Sequence, residues 1–136
     1  MKSITVPGTL DYLGEIAKYV MTAAEHANLE RKTAYKLRLA VDEIATNIIT
    51  HGYQESGQEG FITIEAHMDA ETLTITLTDT GVEFDPTIDT PKSELDLPME
   101  QRQIGGLGVY LAMENVDHLL YERKDHQNRN ILVVNR

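Results

Sequence analysis

At 136 residues, 41% hydrophobic and 25% charged, the chain has the makeup of one globular domain with a real core and is too short for two. Its net charge of −10 argues against a direct nucleic-acid surface or an anionic-membrane surface, since both need clustered Lys and Arg. With no cysteine, disulfides, thiolate metal sites and cysteine nucleophiles are excluded. There is also no apolar run of membrane-span length and no signal-peptide pattern in Met1–Leu10, so the expected location is the cytoplasm.

Ile4 and Val6 alternate up to Pro7-Gly8, which predicts a short edge strand. Thr9 stands where a helix N-cap belongs, and Leu10, Leu13, Ile16, Ala17 and Val20 line one side of a helix running to about His26. A break around Asn28 leads to a second helix, from near Arg31 to His51, with Gly52 placed to end it as the C′ residue. On this helix Leu37, Val41, Ile44 and Ile48 form one apolar stripe. Glu43 and Asn47 are four apart, one turn above each other, on a flank beside that stripe. A carboxylate and a carboxamide there sit at the rim of a core, half shielded from water, where a ligand can meet them. His51 continues the same row and reads as packing at the helix end, whereas Asp42 projects away from the stripe.

After the polar turn Gln54–Gly60 come two clearly alternating segments. Ile62, Ile64, Ala66 and Met68 share one face, and after the turn Asp69-Ala70-Glu71 so do Leu73, Ile75 and Leu77. The pattern predicts an antiparallel hairpin with one buried face. Asp79 continues the phase of Leu73, Ile75 and Leu77, so its carboxylate points inward at the strand end and needs a donor, from protein or from ligand.

From Thr80 to Gln103 periodicity is lost, and Pro86, Pro91 and Pro98 fall in this span; so long a loop within a compact domain is usually functional or disordered. It ends at Gly105-Gly106-Leu107-Gly108, opening a helix to about Val116, and glycines there let free N–H groups approach an anion. His118–Lys124 and Asn130–Asn135, around the turn Asp125-His126-Gln127-Asn128, predict a closing hairpin. The order suggests a two-layer α/β (α+β) sandwich, a mixed, mostly antiparallel sheet with its helices on one face. His26, His67, His118 and His126 show no metal-ligand spacing.

Three features in one order, Glu43-x-x-x-Asn47, Asp79-x-Gly81 and Gly105-Gly106-Leu107-Gly108, give the chain its likeness. It resembles the GHKL superfamily of ATP-binding domains, with its Bergerat-type fold, and within it the anti-sigma-factor serine kinases. DEIATNIITHGY looks like the N box, DTGVEFDP like the first glycine box, and the stretch from GGLG to ILVV like the second glycine box with its closing hairpin. The resemblance spans essentially the whole chain and implies one histidine-kinase-like ATP-binding domain over residues 1–136.

By that resemblance, Asn47 would be a ligand of Mg²⁺, Asp79 would accept a hydrogen bond from the adenine amino group, and Gly81 would let the backbone pass close to the base. Gly105, Gly106 and Gly108, with the Leu107 amide, would cradle the ATP phosphates at a helix N-terminus. Asp89–Gln103 would be the ATP lid, mobile until nucleotide binds. Glu43 would be the general base on an incoming serine or threonine hydroxyl, and Arg102 would stabilise γ-phosphate charge. Asn130 occupies the last-strand position where relatives often carry a Thr near the adenine. Two departures stand out: Glu83 replaces the small residue of many first glycine boxes, and the lid has only Lys92 and Arg102 as basic residues.

The function so implied is an ATP- and Mg²⁺-dependent protein serine/threonine kinase acting as an anti-sigma factor in a partner-switching pathway. It would bind a sigma factor and phosphorylate an anti-anti-sigma (STAS-type) protein. Homodimerisation follows from the resemblance alone. The alternative is a non-catalytic nucleotide-binding switch that sequesters a regulatory protein. A third reading, the catalytic half of a histidine kinase, is weakened because the chain has no room for a helical hairpin carrying a phosphoacceptor histidine.

Overall fold

The computed structural model describes residues 1–87 and 112–136. A five-stranded sheet is built from β1 (Ile4–Pro7), β2 (Phe61–Met68), β3 (Thr72–Asp79), β4 (His118–Lys124) and β5 (Gln127–Asn135), in the order β1-β2-β3-β5-β4. Every neighbouring pair is antiparallel, so among the described residues the sheet is wholly antiparallel rather than mixed. The alternation in β2 and β3 falls as the sequence predicts: Ile62, Ile64, Leu73, Ile75 and Leu77 are all buried. They face the helices α1 (Leu13–His26) and α2 (Arg31–Asn47), whose Ile16, Val20, Leu37, Val41 and Ile44 complete one core. Met68, expected on the buried face, is instead exposed, because it lies at the end of β2.

The helix ends differ from the sequence reading in instructive ways. Thr9 makes no side-chain cap; its carbonyl accepts from the Tyr12 N–H, closing the 3₁₀ turn Leu10–Tyr12 that precedes α1. At the other end of α1, Asn28 takes φ 55°, Asn28 N–H donates to Glu25 and Leu29 N–H to Ala24, which is a Schellman stop where the sequence placed its break. The second helix does not end at Gly52. It passes at Asn47 into a π-helical stretch, Ile48–Gln54, and stops through the same hydrogen-bond pattern around Gly57, whose φ is 71°.

Tyr53, in the π stretch, ties the start of β2 to the end of β3. Its hydroxyl donates to the Phe61 carbonyl at 2.7 Å and accepts from Thr80 N–H at 3.0 Å. The closing hairpin is tighter than the sequence suggests. Only Asp125 and His126 turn, with φ of 55° and 64°, so β5 starts at Gln127 and takes in Asn128. Residues 112–115 are helical, and Ala112 and Val116 pack into the core. No helix among the described residues is long and apolar enough to cross a membrane.

Candidate functional site

Strand register creates the site. Asp79 is the last residue of β3, and β5 sets Asn128 directly opposite it, with Arg123 of β4 opposite Asn128 in turn. One row across three strands therefore reads Asp79–Asn128–Arg123. Two residues deeper, Leu77 faces Asn130, which faces Tyr121. Asn128 and Asn130 share the phase of Leu132 and Val134 and so point to the helix side; each is only 2% exposed.

Asp79 is 3% exposed. Its Oδ1 accepts from Gly81 N–H at 2.9 Å and from Asn128 Nδ2 at 3.0 Å. Its Oδ2 has no partner among the described residues. Burial raises the pKa of this carboxyl, and the hydrogen bonds from Asn128 and Gly81 and the charge of Arg123 pull the other way.

A cavity opens beside this group, lined by Ile44, Asn47, Ile48 and Gly52 from the second helix and its π extension. Asp79, Val82, Phe84 and Pro86 line it from the β3 end and the segment beyond, and Asn128 and Asn130 from β5. Three buried polar atoms in the lining lack hydrogen bonds among the described residues: Asp79 Oδ2, Asn130 Oδ1 and Asn47 Nδ2. Each such atom costs about 1–3 kcal/mol in an unliganded interior. Three in one lining make this small cavity polar, so that what occupies it must be polar as well.

The helix side is anchored to the strand side by backbone contact. The Gly52 carbonyl accepts from Val82 N–H at 3.1 Å. A Cβ on Gly81 would lie 2.6 Å from that same carbonyl oxygen, so this approach admits only glycine. The π stretch thus turns a carbonyl outward to receive the segment after β3, a use typical of π segments at functional sites. Next to it the His51 ring stacks on Phe84 with centroids 4.5 Å apart, and His51 Nδ1 lies 3.0 Å from Glu55 Oε2. His51 is therefore packed at the helix end, as read from sequence.

Glu43 is half-buried one turn before Asn47 and is not part of the cavity lining, while Asp42 is exposed. Burial raises the Glu43 pKa, and the adjacent Asp42 charge raises it further. Of the residues singled out from sequence, Asn47, Asp79 and Asn130 meet in the cavity, and Gly81 packs against its wall. Arg102, Gly105, Gly106, Leu107 and Gly108 and the segment Asp89–Gln103 lie outside the described residues. Asn128 was missed. It had been placed in the turn, yet it, not Asn130, sits across from Asp79. Extending the phase of Leu132 and Val134 back through Asn130 would have found it, by the same reasoning that turned Asp79 inward.

Residues 6–135 match the model of the histidine kinase-like ATPase domain. Among curated proteins, the chain is 26% identical over 137 residues to a serine-protein kinase RsbW of Listeria innocua, covering 97% of this chain and 83% of that one. It is 27% identical over 119 residues to the serine-protein kinase RsbW of Halalkalibacterium halodurans, covering 84% and 70%. Among solved structures it shares its fold with a chain of the SiaB-SiaC complex from Pseudomonas aeruginosa, with a TM-score of 0.60 and 12% identity over 100% of this chain and 89% of that one. It also shares it with the histidine kinase domain of the Erythrobacter litoralis EL346 blue-light activated histidine kinase, with a TM-score of 0.57 and 17% identity. There it covers 91% of this chain and only 59% of the longer one. With its family model matched from residue 6 to residue 135, the chain belongs to the histidine kinase-like ATPase domain family.

Proposed function

We propose that this chain is an ATP-dependent protein serine/threonine kinase of a partner-switching pathway. The observation that carries the reading is the buried, partnerless Oδ2 of Asp79, an acceptor facing a cavity and matched by the amino group of an adenine. The residues present fit the nucleotide: Asp79 for the base, Asn47 on the opposite wall for the phosphate side, and Gly81 for close passage of the backbone. Two relatives whose names record serine-protein kinases support the reaction class.

Asn47 would hold Mg²⁺ through its carboxamide oxygen, a hard ligand that suits an ion otherwise held by phosphates and water. When bound, the ion supplies charge neutralisation between the phosphates. Asn47 stands on the second helix one turn after Glu43, and its carboxamide, whose NH₂ is the end without a partner among the described residues, would turn over to present the oxygen. Glu43 acts as the base. The acceptor hydroxyl oxygen forms the new bond to the γ-phosphorus, the bond to the ADP oxygen breaks, and the hydroxyl proton passes to the Glu43 carboxylate. A pKa raised by burial and by Asp42 makes this carboxylate a stronger base than an exposed Glu, closer to the strength the task needs at neutral pH. Gly105, Gly106, Leu107, Gly108 and Arg102 complete the phosphate side in this reading. The partners are a sigma factor that the chain holds inactive and an anti-anti-sigma (STAS-type) protein that it phosphorylates.

The test is transfer of label from ATP, with Mg²⁺, to candidate acceptor proteins of the same genome, alongside Glu43→Ala and Asn47→Ala. Label on an acceptor Ser or Thr, lost in both variants, is the expected result. ATP binding without transfer to any acceptor replaces the kinase by a nucleotide-binding switch, and no ATP binding at all overturns the reading.

A further inference from the structure

The outward face of α2 carries a feature that the nucleotide site does not use. Arg31, Lys32, Lys36 and Arg38, four of the 12 Lys and Arg residues in a chain of net charge −10, follow one another closely with no acid between them. All four are exposed. Cations at this end oppose the helix dipole, and Lys32 and Lys36, four apart, repel each other. Among the described residues the ion pairs are His51–Glu55 and Arg129–Glu122, so none of the four is neutralised by a neighbour. The cluster weakens the helix that carries it.

Among these cations stand two exposed apolar side chains, Tyr35 at 52% and Leu39 at 43% exposure. They are four apart, so they neighbour each other, and the same i+4 row runs on through Glu43 to Asn47. With a rise of about 1.5 Å per residue, Leu39 lies about 6 Å and Tyr35 about 12 Å along the axis from Glu43. The row changes character along its length: exposed at Tyr35 and Leu39, half-buried at Glu43, buried in the cavity lining at Asn47. Asn47 closes the far side of Glu43, so a protein that brings a hydroxyl to Glu43 comes over the open side, across Leu39. Exposed lysines or a single exposed leucine are ordinary surface. Here apolar area and uncompensated positive charge share the one row that leads to the proposed base.

We propose that the Tyr35–Leu39 ridge, with its flanking cations, is the docking surface for the phosphoacceptor protein, which meets it with acidic side chains around an apolar one. This deepens the kinase reading above and rests on it. Burial of Tyr35 and Leu39 supplies affinity. The cations supply encounter and orientation, because they are the place where a chain of net negative charge attracts an acidic partner rather than repelling it.

The experiment measures transfer from ATP to the acceptor protein that takes label in the assay above, at varied acceptor concentration. Wild type is compared with Tyr35→Ser, with Leu39→Ser and with Lys36→Glu and Arg38→Glu made together. Each should raise the KM for the acceptor on the order of ten- to a hundredfold, with kcat and ATP affinity within about twofold of wild type. In wild type this KM should rise with salt, and in the charge-reversed chain the rise should be lost. Leu120→Ser, the same change at an exposed leucine of β4, should leave it unmoved. Thermal melts identify the folded variants, and two apolar positions and a charged pair keep the comparison intact if one fails to fold. A wild-type KM in the folded ridge variants overturns the proposal, as does a loss confined to kcat. So does a dimer that Leu39→Ser converts to a monomer in sedimentation, which makes the ridge a contact between copies. Binding of wild type to phosphatidylglycerol vesicles, abolished by the charge reversal, also overturns it. A wild-type chain that binds ATP and labels no acceptor overturns the kinase reading itself, whereas label with an unchanged KM overturns the docking surface alone.

Discussion

Asp79 holds a buried carboxylate oxygen with no partner among the described residues, so Asp79→Asn exchanges a poorly satisfied charge for a neutral amide of the same shape. The amide oxygen can still accept from Gly81 N–H and Asn128 Nδ2, so both existing hydrogen bonds survive. What changes is the orphan. An unmet buried group costs about 1–3 kcal/mol, more when charged, and a neutral NH₂ falls at the low end of that range. The nucleotide-free variant should therefore be more stable than wild type by about 1–2 kcal/mol at pH 7, a rise in Tm of about 3–10 °C for a chain of this size.

The sign with pH follows from linkage. Burial holds the Asp79 pKa above its unfolded value, so ionisation costs the folded state stability. That cost is absent below the ordinary carboxylate value of about 4, grows as pH rises towards the raised pKa and is fully present above it. The variant's advantage should accordingly be complete at neutral pH and vanish in acid. Urea unfolding of both proteins across this range measures it, and titration with ATP should show binding reduced by roughly a hundredfold or more, since an NH₂ then faces an amino donor. A variant less stable than wild type at pH 7, or an advantage that does not change with pH, refutes the account of the orphaned oxygen.

Gly81→Ala should cost about 1–3 kcal/mol by urea unfolding, because its Cβ would sit 2.6 Å from the Gly52 carbonyl oxygen and force the two segments apart. Asp42→Asn removes a charge that raises the Glu43 pKa, so the acid limb of the phosphotransfer pH profile should move to lower pH, with the plateau kept. An unmoved limb would remove Glu43 from the role of base. His126→Gly relieves a non-glycine residue held at φ 64° in a two-residue turn and should stabilise the chain by about 1 kcal/mol in thermal melts, without effect on nucleotide affinity.

The sequence was legible wherever one face of an element is buried. The period-2 pattern of Ile62 to Leu77 places β2 and β3 and, carried one step further, turns Asp79 inward. It was not legible where local chemistry departs from its usual residues. The hairpin between β4 and β5 turns on Asp-His rather than Asn-Gly, so the turn read as four residues and hid Asn128 inside it. The π stretch carries no pattern of its own: Gly52 looked like a helix stop because the hydrogen bonds that keep Ile48–Gln54 wound, with Gly57 taking the left-handed position, depend on tertiary contacts.

The site lies where two rigid elements end against each other, and energetics explains why. A buried polar atom left without a partner costs about 1–3 kcal/mol, a sizeable share of the net stability of a typical domain. On flexible segments such atoms would rotate to find water or backbone partners, and the cavity would lose its polarity. Here Asn47 is held by a buried helix, Asp79 by the register of β3 with β5, and Asn130 by the middle of β5. The Gly52–Gly81 contact and the Tyr53 hydroxyl lock the helix end to the strand end, so neither wall can move alone. The core of Ile, Leu and Val side chains beneath supplies the stability that offsets this cost. A ligand that satisfies the three atoms recovers it as binding free energy. The same construction that costs the fold stability would make binding of a complementary polar ligand favourable, and the gain in stability expected for Asp79→Asn is the measurable face of that exchange.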